Sequence, residues 1–238
     1  MSYLSKITQH LKRLDEHSGV RPISRQVAGR LNDGGIIHLF GCGHSSLLAQ
    51  DVYYRAGGLV PVRPILIEPL MLHQGAYQST LNERTAGFVY PYLAKEDIRE
   101  EDVVIVLSTS GRNPAPIDVA LYGKAQGAMV ISVQSLEYSA TQVSKHPSQK
   151  RLEAVVDFVM DTKVPVGDAI EVREGLETHF SPLSSVVGTA LLHDLMTKVI
   201  EAFWEDGIDA PVFKSGNVDG ADEHNRQMME LYKDRITF

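Results

Sequence analysis

The chain has 238 residues, 43% of them apolar and 22% charged, and a net charge of −7. That suits one α/β domain or two small ones, and it argues against nucleic acid as the main partner. One cysteine excludes an internal disulfide and argues against a cysteine-based metal site. No stretch reaches the apolar length of a membrane span, and the opening MSYLSKITQHLKRLDEH lacks the apolar core of a signal peptide, so a cytoplasmic protein with no membrane partner is expected.

Residues 2–17 set Leu4, Ile7, Leu11 and Leu14 at 3-4-3 spacing. This predicts an amphipathic helix that docks on its own domain or pairs with a second subunit. Ser18-Gly19 breaks it. After Pro22, the residues Ile23, Val27 and Leu31 predict a second helix, and Asn32-Asp33-Gly34-Gly35 a turn. Ile36–Phe40 is the first expected strand. Gly41-Cys42-Gly43-His44-Ser45-Ser46 follows it as a glycine-rich, hydroxyl-bearing turn. A helix then runs through about Ala56, with Leu48, Val52 and Ala56 inward. Val62–Glu68 reads as the next strand. Pro69–Thr80 has no clean period and reads as a functional loop with a short helix, and Asn82–Ala94 as helical.

Val103–Leu107 is five apolar residues, short and β-branched, as in a strand buried on both faces. It stops at Ser108-Thr109-Ser110-Gly111-Arg112-Asn113, then Pro114. Asn is a strong N-cap, and Pro has its φ preset for a first helical turn. Ile117, Leu121 and Ala125 carry that helix to a stop at Gly127. Met129–Val133 and Val155–Met160 are expected strands around a polar segment, Ser135–Lys150. Ala169–Val172 and Leu176–Phe180 flank Arg173-Glu174-Gly175 as a small hairpin. From Ser181-Pro182 a long apolar helix reaches about Trp204, with Val186, Ala190, Leu191, Leu195, Val199, Ile200 and Phe203 inward. Glu223–Lys233 makes a last helix. The alternation predicts one α/β domain, residues 1–238, around a doubly wound, mainly parallel sheet. It has a helical N-terminal segment (about 1–32) and a helical tail (about 208–238).

The first turn of a helix offers free N–H groups and a partial positive charge. Three successive hydroxyls add neutral donors, and Gly111 lets a ligand come close. A phosphate monoester is the natural occupant of residues 108–113, although a well-capped polar βα loop accounts for the same residues. In an open parallel sheet, ligands bind beyond the carboxyl ends of the strands, where neighbouring turns diverge. If the two strands are adjacent, two hydroxyl-rich turns face one crevice.

Gly43-His44-Ser45 and Ser108-Thr109-Ser110-Gly111-Arg112 resemble the two turns of the sugar isomerase (SIS) family, a Gly-x-Ser turn and a later Ser-x-Ser-Gly-x-Thr turn. Asn113 stands where the family usually has Thr. The resemblance runs from about residue 20 to 205, and the layout is similar to phosphoheptose isomerases and single-domain SIS proteins near them. It implies a three-layer αβα sandwich of about five strands in flavodoxin-like order, assembled as a homodimer or a dimer of dimers. It also implies a small-molecule sugar phosphate as ligand, with Ser45, Ser108, Thr109, Ser110 and Asn113 around the phosphate and Gly43, His44 and Gly111 beside them. The family includes aldose–ketose isomerases that act through an enediol, and also regulatory domains that bind phosphosugars without converting them. Both functions are therefore expected readings. A dinucleotide site is a third, on Gly41-x-Gly43 and Glu68, but position 46 is Ser and the second hydroxyl turn has no role in it.

Isomerisation needs a base near C1 and C2 and an acid for ring opening. Glu68 and His73 lie just past a strand end, and Glu223 lies beside His224 in the polar run Asp219–Asn225. In SIS proteins the C-terminal region often approaches the active site, sometimes that of the other subunit. Strand termination, loop hydrogen bonding and a helix dipole account for the same three residues without catalysis. His193 reads as a buried, satisfied histidine, Cys42 as a packed residue, and Asp168 as a turn or pocket-mouth residue. There is no His-Glu-x-x-His, and neither metal nor cofactor is expected. Zinc in some phosphoheptose isomerases leaves a site assembled by the fold open.

Overall fold

A computed structural model describes residues 2–15 and 19–238. Strands β1 (Ile37–Gly41), β2 (Val62–Pro64), β3 (Val103–Leu107), β4 (Met129–Gln134) and β5 (Phe158–Asp161) form one sheet in the order β2-β1-β3-β4-β5. Every pair is parallel. The helices are α1 (Tyr3–Asp15), α2 (Val20–Asn32), α3 (Ser45–Asp51), α4 (Ala76–Glu83), α5 (Tyr90–Leu93), α6 (Pro114–Ala125), α7 (Ser184–Glu205) and α8 (Ala221–Glu230).

β3 is central because all five of its side chains are apolar and buried. Successive residues of a strand point to opposite faces. Val103, Ile105 and Leu107 accordingly join a core with α1, α2, α3 and α7. Val104 and Val106 join a second core with α5 and α6. Two helical layers enclose the sheet, which makes the three-layer α/β architecture. Register matters for the site: Gly41 pairs with Leu107, so β1 and β3 end level and their turns begin side by side.

Several expected elements change length. The β2 strand stops at Pro64, and an edge strand tolerates a residue without an N–H there. Ile65 still donates to the Leu39 carbonyl at 2.8 Å, and the chain then enters two 3₁₀ turns, Glu68–Leu70 and Leu72–Gln74. α3 ends at Asp51, five residues before the expected stop, and Tyr54 takes a positive φ. The strand expected from Val155 starts at Phe158, since Leu152–Ala154 forms a 3₁₀ turn. The expected hairpin is a single antiparallel bridge, Glu171 with Phe180.

In α1 the buried side chains are Ile7, His10 and Leu14, while Leu4 is 72% exposed. The inward face is thus rotated from the leucine stripe, and His10 holds it by bonding the Thr162 carbonyl at 2.8 Å. Residues 16 and 17 of that expected helix and the Ser18 break lie outside the described residues. In α7, Val186 faces solvent, unlike its expected inward neighbours Leu191, Leu195 and Val199.

Candidate functional site

The chain leaves β1 toward β2 on one side and continues from β3 toward β4 on the other. The reversal falls between β1 and β3, where an open parallel sheet opens a crevice at its carboxyl end. A cavity of about 310 Å³ lies there, lined by His44, Ser45, Leu48, Thr109, Asp168, Pro182, Ser184 and Ser185. It takes residues from the turn after β1, the turn after β3 and the start of α7. Its size is at the lower end of small-ligand sites.

The first turn is built by close approach. At Gly41 an added Cβ would stand 2.5 Å from the Ser45 carbonyl carbon. Gly43 has φ +55° and donates its N–H to the Leu70 carbonyl at 2.8 Å, so the segment after β2 braces the turn from outside. Ser46 spends its hydroxyl on the Gly43 carbonyl at 2.8 Å. The Ser45 hydroxyl, which lines the cavity, has no protein hydrogen-bond partner among the described residues.

The second turn divides its residues between structure and cavity. Thr109 lines the cavity, and its carbonyl accepts from Ser135 N–H at 3.0 Å, which fixes it while its hydroxyl stays unpaired among the described residues. Ser108 is buried, and its hydroxyl accepts the Gly111 N–H at 3.3 Å, a contact internal to the turn. The Ser110 carbonyl is held by Arg151 Nη2 at 2.6 Å. Gly111 is buried with φ +59°, and a Cβ there would meet Gln134 Oε1 at 2.4 Å, so its small size serves packing against β4. Asn113 is the N-cap residue of α6 but makes no side-chain cap bond. Its amide instead donates to Glu83 Oε1 at 2.9 Å, and Asn113 is not in the cavity lining.

Asp168 closes the third wall. Its Oδ1 accepts from Leu183 N–H at 3.0 Å and Ser184 N–H at 2.7 Å, and its Oδ2 accepts the Ser184 hydroxyl at 2.6 Å. It therefore lines the cavity, as one of its two expected roles requires, and also caps α7, a role not expected from the sequence.

The residues singled out for proton transfer are not brought together. Glu68 and His73 are exposed on the segment that braces the first turn, outside the cavity lining; Gln74 Nε2 lies 3.5 Å from Glu68 Oε2. Glu223 is on α8 and exposed, bonded to Gln227 at 2.9 Å and to Arg226. Its neighbour His224 reaches the Val212 carbonyl, and Val212 bridges Leu59, just before β2. That is the amino end of the sheet, opposite the crevice. No group of three His, Cys, Asp or Glu side chains among the described residues is placed to hold a metal ion.

Two ionisable arrangements went unread in the sequence. His193 is not buried: its Nε2 meets Asp51 Oδ2 at 2.8 Å across the α3–α7 contact, with Arg55 at 3.2 Å. The partners are 142 residues apart, so no local pattern announces them. Glu83 lies between the two turns. Burial pushes its carboxyl up, against the opposing pull of Asn113, Arg84 and Lys145. Burial also pushes the Cys42 thiol well up, with Glu83 adding to it, as expected of a packed rather than a reactive cysteine. A carboxyl raised in the folded state destabilises it above that pKa, and the penalty fades as pH falls. Glu83→Gln keeps an acceptor for Asn113 and removes the desolvated charge. Its melting temperature at pH 8 should equal or exceed that of the parent, while Glu83→Ala, which strands the Asn113 amide, should melt lower. A thermal melt of both variants checks this.

An open parallel α/β domain with hydroxyl-lined turns at its switch point is a ligand-binding class. Within that class, the chain belongs to the SIS domain family, whose model matches residues 2–135. It is 50% identical over 236 residues to a UPF0309 protein of Geobacillus thermodenitrificans, covering 98% of this chain and 95% of that protein. Its fold is similar to phosphoheptose isomerase GmhA from Neisseria gonorrhoeae, with a TM-score of 0.55, 14% identity, and coverage of 84% and 95% of the two chains. It is also similar to the Vibrio vulnificus NanR protein complexed with ManNAc-6P, with a TM-score of 0.50, 15% identity, and coverage of 99% and 69%. No helix among the described residues is long and apolar enough to cross a membrane.

Proposed function

We propose that the crevice binds a sugar phosphate and that the chain interconverts its aldose and ketose forms through an enediol. The phosphate lies against the Ser45 and Thr109 hydroxyls, and the sugar extends toward Asp168, Ser184 and Ser185. The carrying observation is that hydroxyls from two turns, on strands that end in register, line one cavity and lack protein partners among the described residues. Phosphosugars in the names of two proteins with this fold support the ligand class. The cavity has no lysine or arginine in its lining, so neutral donors meet the phosphate charge. His44 lines the cavity and its imidazole has no hydrogen-bond partner among the described residues, which favours it for proton transfer between C1 and C2. Glu68 and His73, on the adjoining segment, are the further candidates.

The second reading is a sensor that binds without turnover. It is favoured by Asp168, the one carboxylate in the lining, being fully engaged in capping α7. Solvent deuterium appearing at C2 of a bound hexose 6-phosphate, followed by NMR, supports the isomerase. Ligand-raised melting with no exchange supports the sensor. Ser45→Ala and Thr109→Ala, each made alone, should weaken binding by about 1.5–3 kcal/mol, the worth of a hydrogen bond to a charged group. Unchanged affinity in both variants would remove the assignment.

A further inference from the structure

A second cavity, of about 670 Å³, lies beside the crevice and is larger than it. α1 supplies Lys6, Gln9, His10, Arg13 and Leu14 to it, and the exits of β4 and β5 supply Glu137, Lys163 and Pro165. Ile170 and Leu183 close it. Its chemistry differs from that of the crevice. Lys6, Arg13, Lys163 and Glu137 line the second cavity over a floor of Leu14, Pro165, Ile170 and Leu183. Lys6 is engaged with Glu171 at 3.1 Å and the Ile170 carbonyl at 3.0 Å, whereas Lys163 makes no ion pair among the described residues.

We infer that this cavity is a second binding site, for a small organic anion with an apolar body, and that its occupancy is coupled to the crevice. The Lys163 ammonium selects the anion, and the apolar floor selects a ligand that carries more than a bare phosphate or sulfate. The coupling runs through one short stretch of chain. Ile170 and Leu183 line the second cavity, while Asp168, Pro182 and Ser184 line the crevice. Asp168 grips the Leu183 and Ser184 N–H groups directly, and Tyr3 of α1 donates its hydroxyl to the Pro182 carbonyl at 2.6 Å. A ligand pressed against Ile170 and Leu183 changes the anchor that sets the third wall of the crevice. Only differential affinity for two arrangements of that anchor produces coupling, and the effect is reciprocal.

The inference rests on the sugar-phosphate reading for its coupling, but not for the second site itself. The probe is 8-anilinonaphthalene-1-sulfonate, a sulfonate on an aromatic body, titrated by fluorescence against the full chain. Saturable binding of one probe per chain is expected, with affinity at least tenfold lower in Lys163→Glu at an unchanged melting temperature. Inorganic phosphate should not displace the probe. A saturating hexose 6-phosphate should change probe affinity by the same factor by which the probe changes sugar-phosphate affinity. Ser45→Ala should reduce the sugar-phosphate response and leave probe binding intact, which separates the two readings. Non-saturable binding, or equal affinity in Lys163→Glu, overturns the second site. So does displacement of the probe by self-association, with a second copy covering α1. Probe binding with no reciprocal effect overturns the coupling.

Discussion

Asp102→Ala will lower the unfolding free energy by about 3–5 kcal/mol, the loss expected when one partner of a buried charge pair is removed. Asp102 immediately precedes β3, and its side chain is 0% exposed. Its Oδ1 accepts Ile36 N–H at 2.9 Å, at the start of β1. Its Oδ2 takes Arg99 N–H at 2.8 Å, Arg235 Nη2 at 2.7 Å and His38 Nε2 at 3.2 Å. One carboxylate therefore ties together β1, the entry to β3 and the C-terminal tail. Alanine would leave a buried histidine and two backbone donors without this acceptor, while the nearly buried Arg235 guanidinium would keep only Asp97 and the more distant Glu101. Burial alone would raise the Asp102 carboxyl, but the hydrogen bonds from His38, Ile36 and Arg99 together hold it below its ordinary value. A carboxyl depressed in the folded state stabilises it above the unfolded pKa of about 3.9, and that contribution is lost as pH falls through the lower folded value. Urea titrations at pH 7 and at successive points below about pH 4 should show parent and variant curves converging on the acid side. A loss under about 1 kcal/mol at pH 7 would mean that the tail and the sheet are held by other contacts. Arg235→Ala, which keeps the carboxylate and its other three donors, should lose less.

The sequence carried the sheet because its central strands announce themselves. Val103–Leu107 is an unbroken apolar run and Met129–Val133 one interrupted only by Ser132, and both were legible to within a residue. The edges were less legible, since an edge strand is defined by pairing and not by its own pattern. β2 stops at Pro64, although Ile65-Leu66-Ile67 reads as strand on composition. The two turns could be found because glycine and hydroxyl residues sit directly after those strands. How their side chains divide could not be found. Thr109 lines the cavity while Ser108 bonds its own turn and Asn113 bonds Glu83, and the placing of Thr109 and Asn113 depends on Ser135 and Glu83, both remote in sequence. Asp168 was readable as a turn or pocket-mouth residue, but its capping of α7 was not, because Leu183 and Ser184 meet it from 15 and 16 residues away. The His193–Asp51 pair and the rotation of α1 onto His10 are long-range in the same sense. Period gives a helix and its approximate face, while the neighbour decides which side chain is the contact.

Gly41→Ala will abolish sugar-phosphate binding and lower stability by about 1–3 kcal/mol, the range for forcing extra volume into a packed site. An added Cβ would stand 2.5 Å from the Ser45 carbonyl carbon, 2.6 Å from its oxygen and 2.8 Å from its Cβ. Backbone atoms cannot swing aside as a flexible side-chain end can, so the start of α3 must move. The second turn has no reason to follow, because Leu107 stays paired to Val133 across β3 and β4. Ser45 would then leave the position in which it shares a cavity with Thr109. Gly43→Ala is the control. There φ is +55° and the nearest atom to a Cβ is Leu72 Cδ2 at 3.8 Å, so space is available and the left-handed backbone alone opposes the change, at a cost of about 1–3 kcal/mol. The two variants should therefore be similarly destabilised yet differ in ligand response. Gly43→Ala keeps a ligand-induced rise in melting temperature, and Gly41→Ala shows none. If Gly41→Ala binds as the parent does, the approach of β1 to α3 does not set the position of Ser45, and the crevice loses the contact on which its phosphate end depends.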